Sequence, residues 1–207
     1  MKNILCFGDS NTWGLIPQTH DRYPSDIRWT GLIKTMLGPY GCIVTEEGLC
    51  GRTTVFEDRS RPGRSGIKTL PLILRNTGEL FVSVIMLGTN DCKTEYRADA
   101  AEIAHGAALL IKAVKKYHPE SAIILVSPIL LKKGVGDKGF DPEFGKRSET
   151  VCSQLRDEYK KTAKKYGTYF FAAQDVAEAS DADREHLTKQ GHAALASAIG
   201  NIIIDMI

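Results

Sequence analysis

Two stretches limit the folds open to this sequence more than any others: the near-continuous apolar runs Val82–Leu87 and Ile123–Val126. A strand with one wet face alternates apolar and polar residues; a strand covered on both faces does not. These runs therefore call for layers on both sides of a sheet. Further strand-like runs cover Asn3–Phe7, Cys42–Glu46 and Thr168–Ala172, and the two runs above extend to Leu80–Leu87 and Ala122–Ser127. Helical patterns lie between them, at Asp26–Leu37, Gly66–Thr77, Asp99–Tyr117, Phe144–Tyr166 and Thr188–Ile207, the last with Thr188 as N-cap. Strand and helix alternate five times, which predicts an α/β fold with a five-stranded parallel sheet and right-handed crossovers. The 207 residues suit a single domain, 1–207, without repeats, low-complexity tracts or linkers.

The charge balance argues against several partners. A net charge of +2 gives no basic field for nucleic acid. The densest basic run, Lys160-Lys161 to Lys164-Lys165, shares a helical pattern with Tyr159, Ala163 and Tyr166 and reads as a solvated helix face. Five cysteines, at 6, 42, 50, 92 and 152, form no C-x-x-C pair and suit no zinc site. Their scatter fits reduced thiols in a cytoplasmic protein, with Cys6 and Cys42 packing as small hydrophobes. The apolar run before Gly8, Ile4–Phe7, is only four residues long, too short for a signal peptide or a membrane span. The Gly/Asp-rich segment Lys133–Pro142 reads either as a rim over a site or as an insertion.

In open parallel sheets, ligands bind beyond the carboxyl ends of the strands. After the first strand comes Gly8-Asp9-Ser10-Asn11, and after the second Gly48-Leu49-Cys50-Gly51-Arg52. Gly88-Thr89-Asn90-Asp91 follows the third, and Asp183-Arg184-Glu185-His186 lies beyond the fifth. These residue types have complementary roles in acyl transfer. Ser10 is a candidate nucleophile, His186 the base that would activate it, and Asp183, three residues earlier, the group that would orient the imidazole. The backbone N–H groups of Ser10 and Gly51 and the Asn90 side chain are candidate oxyanion donors. Each has a plainer reading. Gly-Asp-Ser-Asn is a common turn, Gly-Thr-Asn-Asp equally so, and Asp183 is also a helix-start residue beside an exposed His186. His192 sits in an amphipathic pattern that suggests packing or surface, and His20, His105 and His118 have no comparable context. The four strand ends taken together favour catalysis.

The blocks "FGDSNTWG", "EEGLCGRTT", "MLGTNDCK" and "DREHLTKQGH" resemble, in order, the four conserved-type blocks of the SGNH hydrolase superfamily, the GDSL-type esterases and lipases. The resemblance runs from Met1 almost to Ile207, and "RWTGLI" adds likeness to the arylesterase/acyltransferase-like branch. It implies a flavodoxin-like three-layer α/β/α sandwich. It also implies hydrolysis of short acyl esters such as aryl or sugar acetates, acyl transfer to alcohols, and a homo-oligomer. The implied triad is Ser10, His186 and Asp183, with Ser10, Gly51 and Asn90 at the oxyanion; no metal or organic cofactor is needed. Asn11 stands where the family name has Leu, which bears on the wall beside the nucleophile and hence on acyl preference. Trp13 and Trp29 either line the acyl or alcohol pocket or serve as core or interface aromatics. Arg52 meets either an acidic substrate group or Glu46, Glu47 or Asp58 at the surface. Two rivals remain: a metallophosphoesterase using Asp9, Asn90, Asp91 and His186, and a flavodoxin-like module that binds FMN or carbohydrate without catalysis.

Overall fold

In a computed structural model describing residues 1–207, five strands run parallel: β1 (Lys2–Gly8), β2 (Cys42–Gly48), β3 (Leu80–Met86), β4 (Ala122–Ser127) and β5 (Tyr169–Ala172). Their order across the sheet is β2-β1-β3-β4-β5. Gly8, the last residue of β1, pairs with Gly48 on one side and Met86 on the other.

Alternate residues of the inner strands enter two separate cores. Leu5, Phe7, Ile85, Ile123 and Leu125 pack on one face with α3 (Gly66–Asn76), α4 (Ala100–Tyr117) and α5 (Lys146–Tyr166). Ile4, Cys6, Val84, Met86, Ile124 and Val126 pack on the other with α2 (Trp29–Leu37) and α6 (Lys189–Ile204). Both sets are apolar because both faces are dry, and this is what abolishes alternation along β3 and β4. The result is the three-layer α/β/α sandwich implied by the sequence.

Element ends differ from expectation where a local contact intervenes. The helix anticipated from Asp26 starts at Trp29, because Pro24 O accepts from Ile27 N and Arg28 N and forms a separate turn. The helix anticipated from Phe144 starts at Lys146, since Phe144 is buried in the core and Gly145 is extended. Thr188 caps α6, its side chain accepting from Gly191 N at 3.0 Å. One element was not anticipated: α1 (Ser10–Trp13), too short to give a periodic pattern. Lys160, Lys161, Lys164 and Lys165 are exposed while Tyr159 and Ala163 face the core. The five thiols are free, with Cys6 and Cys42 buried. No helix is long and apolar enough to cross a membrane.

Glu46 near the end of β2 anchors α2 and the segment before it. Its carboxylate accepts from Arg28 Nε (2.6 Å) and Nη2 (2.8 Å), Arg22 Nη2 (3.1 Å) and Thr30 Oγ1 (2.5 Å). Burial alone would raise its pKa; the bonds from Arg28 and Thr30 outweigh burial and bring it down from 4.5 to about 2. A carboxyl whose folded pKa is depressed stabilises the fold above its unfolded value and loses that contribution as pH falls toward the folded one. Denaturant unfolding should therefore show a gap between wild type and Glu46→Gln that is full above about pH 4.5 and closes toward about pH 2. A gap independent of pH would rule out this role.

Candidate active site

The carboxyl end of β1 is the point where strand order reverses, since the chain passes from β1 to β2 on one side and later lays β3 on the other. A crevice opens at such a point, and ligands bind there. Directly beyond it, Asp9 Oδ1 accepts from Asn11 N (2.9 Å) and caps α1, so Ser10 is lifted at the head of a single helical turn. Gly48 in β2 lies so close to the Trp13 backbone that a Cβ would collide with it, which holds α1 down against the sheet.

The turn from Ser180 to Leu187 brings the other half. His186 Nε2 lies 2.9 Å from Ser10 Oγ, and His186 Nδ1 lies 2.8 Å from Asp183 Oδ2. The carboxylate offers only acceptors, so Nδ1 donates to it; a neutral ring then leaves Nε2 to accept the Ser10 hydroxyl proton. The other Asp183 oxygen, Oδ1, accepts from the N–H groups of Glu185 (3.1 Å) and His186 (3.0 Å). Turn capping and ring orientation, alternatives on sequence grounds, are both carried by this one carboxylate. Burial would lower the His186 pKa, but the carboxylates of Glu185 and Asp183 more than offset it and raise it above 6.5. Burial would raise Asp183, and the hydrogen bond from His186 holds it below its ordinary value.

The second and third blocks sit at the neighbouring strand ends. Gly51 has φ +80°, a conformation that favours glycine, and its N–H has no partner in the chain; nor has that of Ser10. Asn90 Nδ2 donates one hydrogen to Arg52 O (3.1 Å), which fixes the amide plane and leaves its second hydrogen free. Asp91 accepts from Thr54 N at 2.9 and 3.0 Å and also from the Thr54 hydroxyl, so the third block is clamped to the second.

Arg52 takes neither role expected of it. It is buried, donates to the main-chain oxygens of Gly8 (2.9 Å) and Glu47, and lies over the Phe7 ring at 4.2 Å. It therefore ties the ends of β1 and β2 together. Trp29 is fully buried, donating from Nε1 to Asn11 O (3.0 Å), whereas Trp13 is half-buried beneath the Arg22 guanidinium. His192 packs edge-on against Tyr23, accepts from Trp29 N at Nδ1 (3.3 Å), and is pushed down to about 4 by burial, so it stays neutral. Of the metal ligands proposed for a phosphoesterase, Asp91 has its oxygens engaged by Thr54, and no group of three or more His, Cys, Asp or Glu side chains is arranged so that it could hold a metal ion.

Three residues at the site were missed as contributors. Asn11 braces the two halves: its Oδ1 accepts from Leu187 N (2.8 Å) and its Nδ2 donates to Glu185 O (3.4 Å). Arg184, at φ +65°, stacks over Phe140 (3.8 Å) and donates to Gly134 O (2.8 Å), which joins the Lys133–Pro142 segment to the Ser180–Leu187 turn. That segment is a rim: Gly139, Phe140 and Asp141 face Gln18, His20 and His186 across a cleft of about 450 Å³. The third is Glu185, buried beside His186. The only signal for it was a charged residue directly preceding the histidine. A second concavity, about 580 Å³ between the β2 side of the sheet and α3, contains no nucleophile–base pair.

The model of the GDSL-like lipase/acylhydrolase family matches residues 6–194. The chain is similar to the solved structure of Est24, a carbohydrate acetylesterase from Sinorhizobium meliloti, at 32% identity and TM-score 0.94 with both chains covered in full. It is similar to the native aryl esterase of M. smegmatis at 30% identity and TM-score 0.91, again with full coverage of both. A lipase/acylhydrolase from Enterococcus faecalis shares the fold at 19% identity and TM-score 0.69, with 98% of this chain and 95% of the other covered. No match was found among curated protein sequences.

Asn11→Ala strips a buried N–H of its acceptor and should cost about 1–3 kcal/mol of stability, read from the denaturant midpoint. Ester turnover should fall with it, mainly in kcat. Wild-type stability in this variant would show that the brace contributes nothing.

Proposed function

Because this chain belongs to the GDSL-like lipase/acylhydrolase family, and is accordingly a carboxylic ester hydrolase, we propose that it works through Ser10 as nucleophile, His186 as general base and acid, and Asp183 as the group that orients and charges the imidazole. The observation that carries the reading is the unbroken hydrogen-bonded chain Ser10 Oγ–His186 Nε2, His186 Nδ1–Asp183 Oδ2, at 2.9 and 2.8 Å. A serine hydroxyl is a weak nucleophile until a base takes its proton.

The ester carbonyl sits over Ser10 with its oxygen directed at Ser10 N–H, Gly51 N–H and the free Asn90 Nδ2 hydrogen. Ser10 Oγ attacks the carbonyl carbon while Nε2 takes the proton, and the negative charge that develops on oxygen meets donors already in position. Asp183 stabilises the imidazolium and remains ionised. Collapse returns the proton from Nε2 to the leaving oxygen and leaves an acyl group on Ser10. Water repeats the sequence from the other side, or an alcohol does so with acyl transfer. Similarity to a carbohydrate acetylesterase and an aryl esterase supports short acyl groups, acetate first, on aryl or sugar leaving groups.

Ser10→Ala should abolish labelling by a serine-reactive phosphonate and lower kcat/KM on an aryl acetate by about 10⁴-fold or more. Full activity in that variant would refute the assignment. Asn90→Ala should lower kcat by about 10²–10³ with a smaller change in KM. The base works only when neutral, and its pKa lies above 6.5, so kcat/KM should climb with pH through an inflection above 6.5. An inflection well below that value would contradict the roles given to Glu185 and Asp183 in charging the ring.

A further inference from the structure

Glu185 is a buried carboxyl beside His186 that the mechanism leaves unused. Like Ser10 (4% exposed) and His186 (8%), it is almost fully buried, at 6%. Its main chain is engaged, N–H to Asp183 Oδ1 and carbonyl from Asn11 Nδ2. Its carboxylate accepts no hydrogen bond from the chain, and the only basic nitrogen within 4 Å is His186 Nε2, 3.7 Å from Oε1. Lys93, near enough to influence it, commits its ammonium to Glu143 at 2.6 Å. A carboxylate that no group of the chain engages is left free to accept a hydrogen bond from a bound molecule.

The position of Oε1 says what that partner is. Nε2 hands its proton to the departing alcohol oxygen, which must come within about 3 Å of it. A carboxylate 3.7 Å from the same nitrogen is close enough to face the alcohol portion of the ester. A hydroxyl on the adjacent carbon of that alcohol lies one hydrogen-bond length from the ester oxygen and reaches Oε1 directly. We propose that Glu185 is a specificity-determining residue that accepts a hydrogen bond from this neighbouring hydroxyl, so that monoacyl esters of vicinal diols and polyols are the favoured substrates. The proposal rests on the Ser10–His186 reading above. As the acyl carbon–oxygen bond breaks, the alcohol oxygen takes the proton from Nε2, the acyl group stays on Ser10 Oγ, and the second hydroxyl remains bound to Glu185. In acyl transfer the same contact selects a diol as acceptor. Burial pushes the carboxyl up to about 7, with Asp141 adding to the rise and His186 and Lys93 opposing it. Its carbonyl-type oxygen accepts from a hydroxyl in either protonation state, so the preference does not require ionisation.

The test compares kcat/KM on 2-hydroxyethyl acetate with that on 2-methoxyethyl acetate, which has the same chain but no donor. The wild type should favour the hydroxyl ester by about tenfold, the worth of one good hydrogen bond. Glu185→Val should collapse the ratio toward one, whereas Glu185→Gln, which keeps an acceptor oxygen, should retain most of it. Equal rates in the wild type, or a ratio untouched by Glu185→Val in a variant whose circular dichroism is native, overturn the proposal. The wild-type ratio decides even if the valine variant does not fold. Ser10→Ala, assayed on both esters, tests the underlying mechanism separately: survival of activity there sinks the serine pathway whatever the ratio.

Discussion

Everything at the site depends on the confinement of β1. It is hydrogen-bonded on both edges by parallel neighbours and covered on both faces by helices, so only its carboxyl end is available for chemistry. That end is also the most heavily used part of the sheet. The last carbonyl of the strand, Gly8 O, accepts from Leu49 N at 3.1 Å and from the Arg52 guanidinium at 2.9 Å, which draws the second block against the first. Arg52 O in turn fixes the Asn90 amide, and Thr54 is gripped by Asp91. A strand terminus thus dictates the position of two loops that arrive from elsewhere in the sequence. The histidine comes in over the top, 176 positions away from the serine it meets.

Much of this was readable in the residues, for physical reasons. Dry faces give unbroken apolar runs, and those runs at Val82 and Ile123 announced inner strands. Gly8, Ser10, Gly51, Asn90, Asp183 and His186 follow strands or close a turn, where backbone geometry restricts the choice of residue. What stayed hidden shares one property: it depends on which distant main chain a polar side chain meets. Arg52 reads as a partner for an acidic substrate group or for a surface carboxylate, yet the structure buries it over Phe7. Asn11 reads as a change in the pocket wall, yet its amide is spent on residues 185 and 187. Trp13 and Trp29 are one residue type, yet the first is half-buried and the second fully buried. Hydropathy reports how much a side chain would gain by leaving water, not which partner awaits it.

The site is also unusually acidic for a dry place. Burial pushes Asp9 up to about 6 and Asp91 up to about 7, alongside Glu185 at about 7. Arg52, itself pushed down to about 10 by burial, is the cation near Asp9. In such surroundings charges are poorly screened, so the hydrogen bonds that orient His186 are stronger than they would be in water. The same weak screening makes each unmatched carboxyl consequential: Asp91 is matched by Thr54, while Glu185 has only the imidazole beside it.

The double duty of Asp183 has a dynamic corollary. One oxygen closes the turn through the His186 amide while the other steers the His186 ring, so the backbone cannot open without releasing the imidazole. Competence for chemistry and local order are the same equilibrium in this turn. The exchange of that single amide proton with solvent deuterium would count, residue-specifically and without any substrate present, how often the His186 ring is out of register.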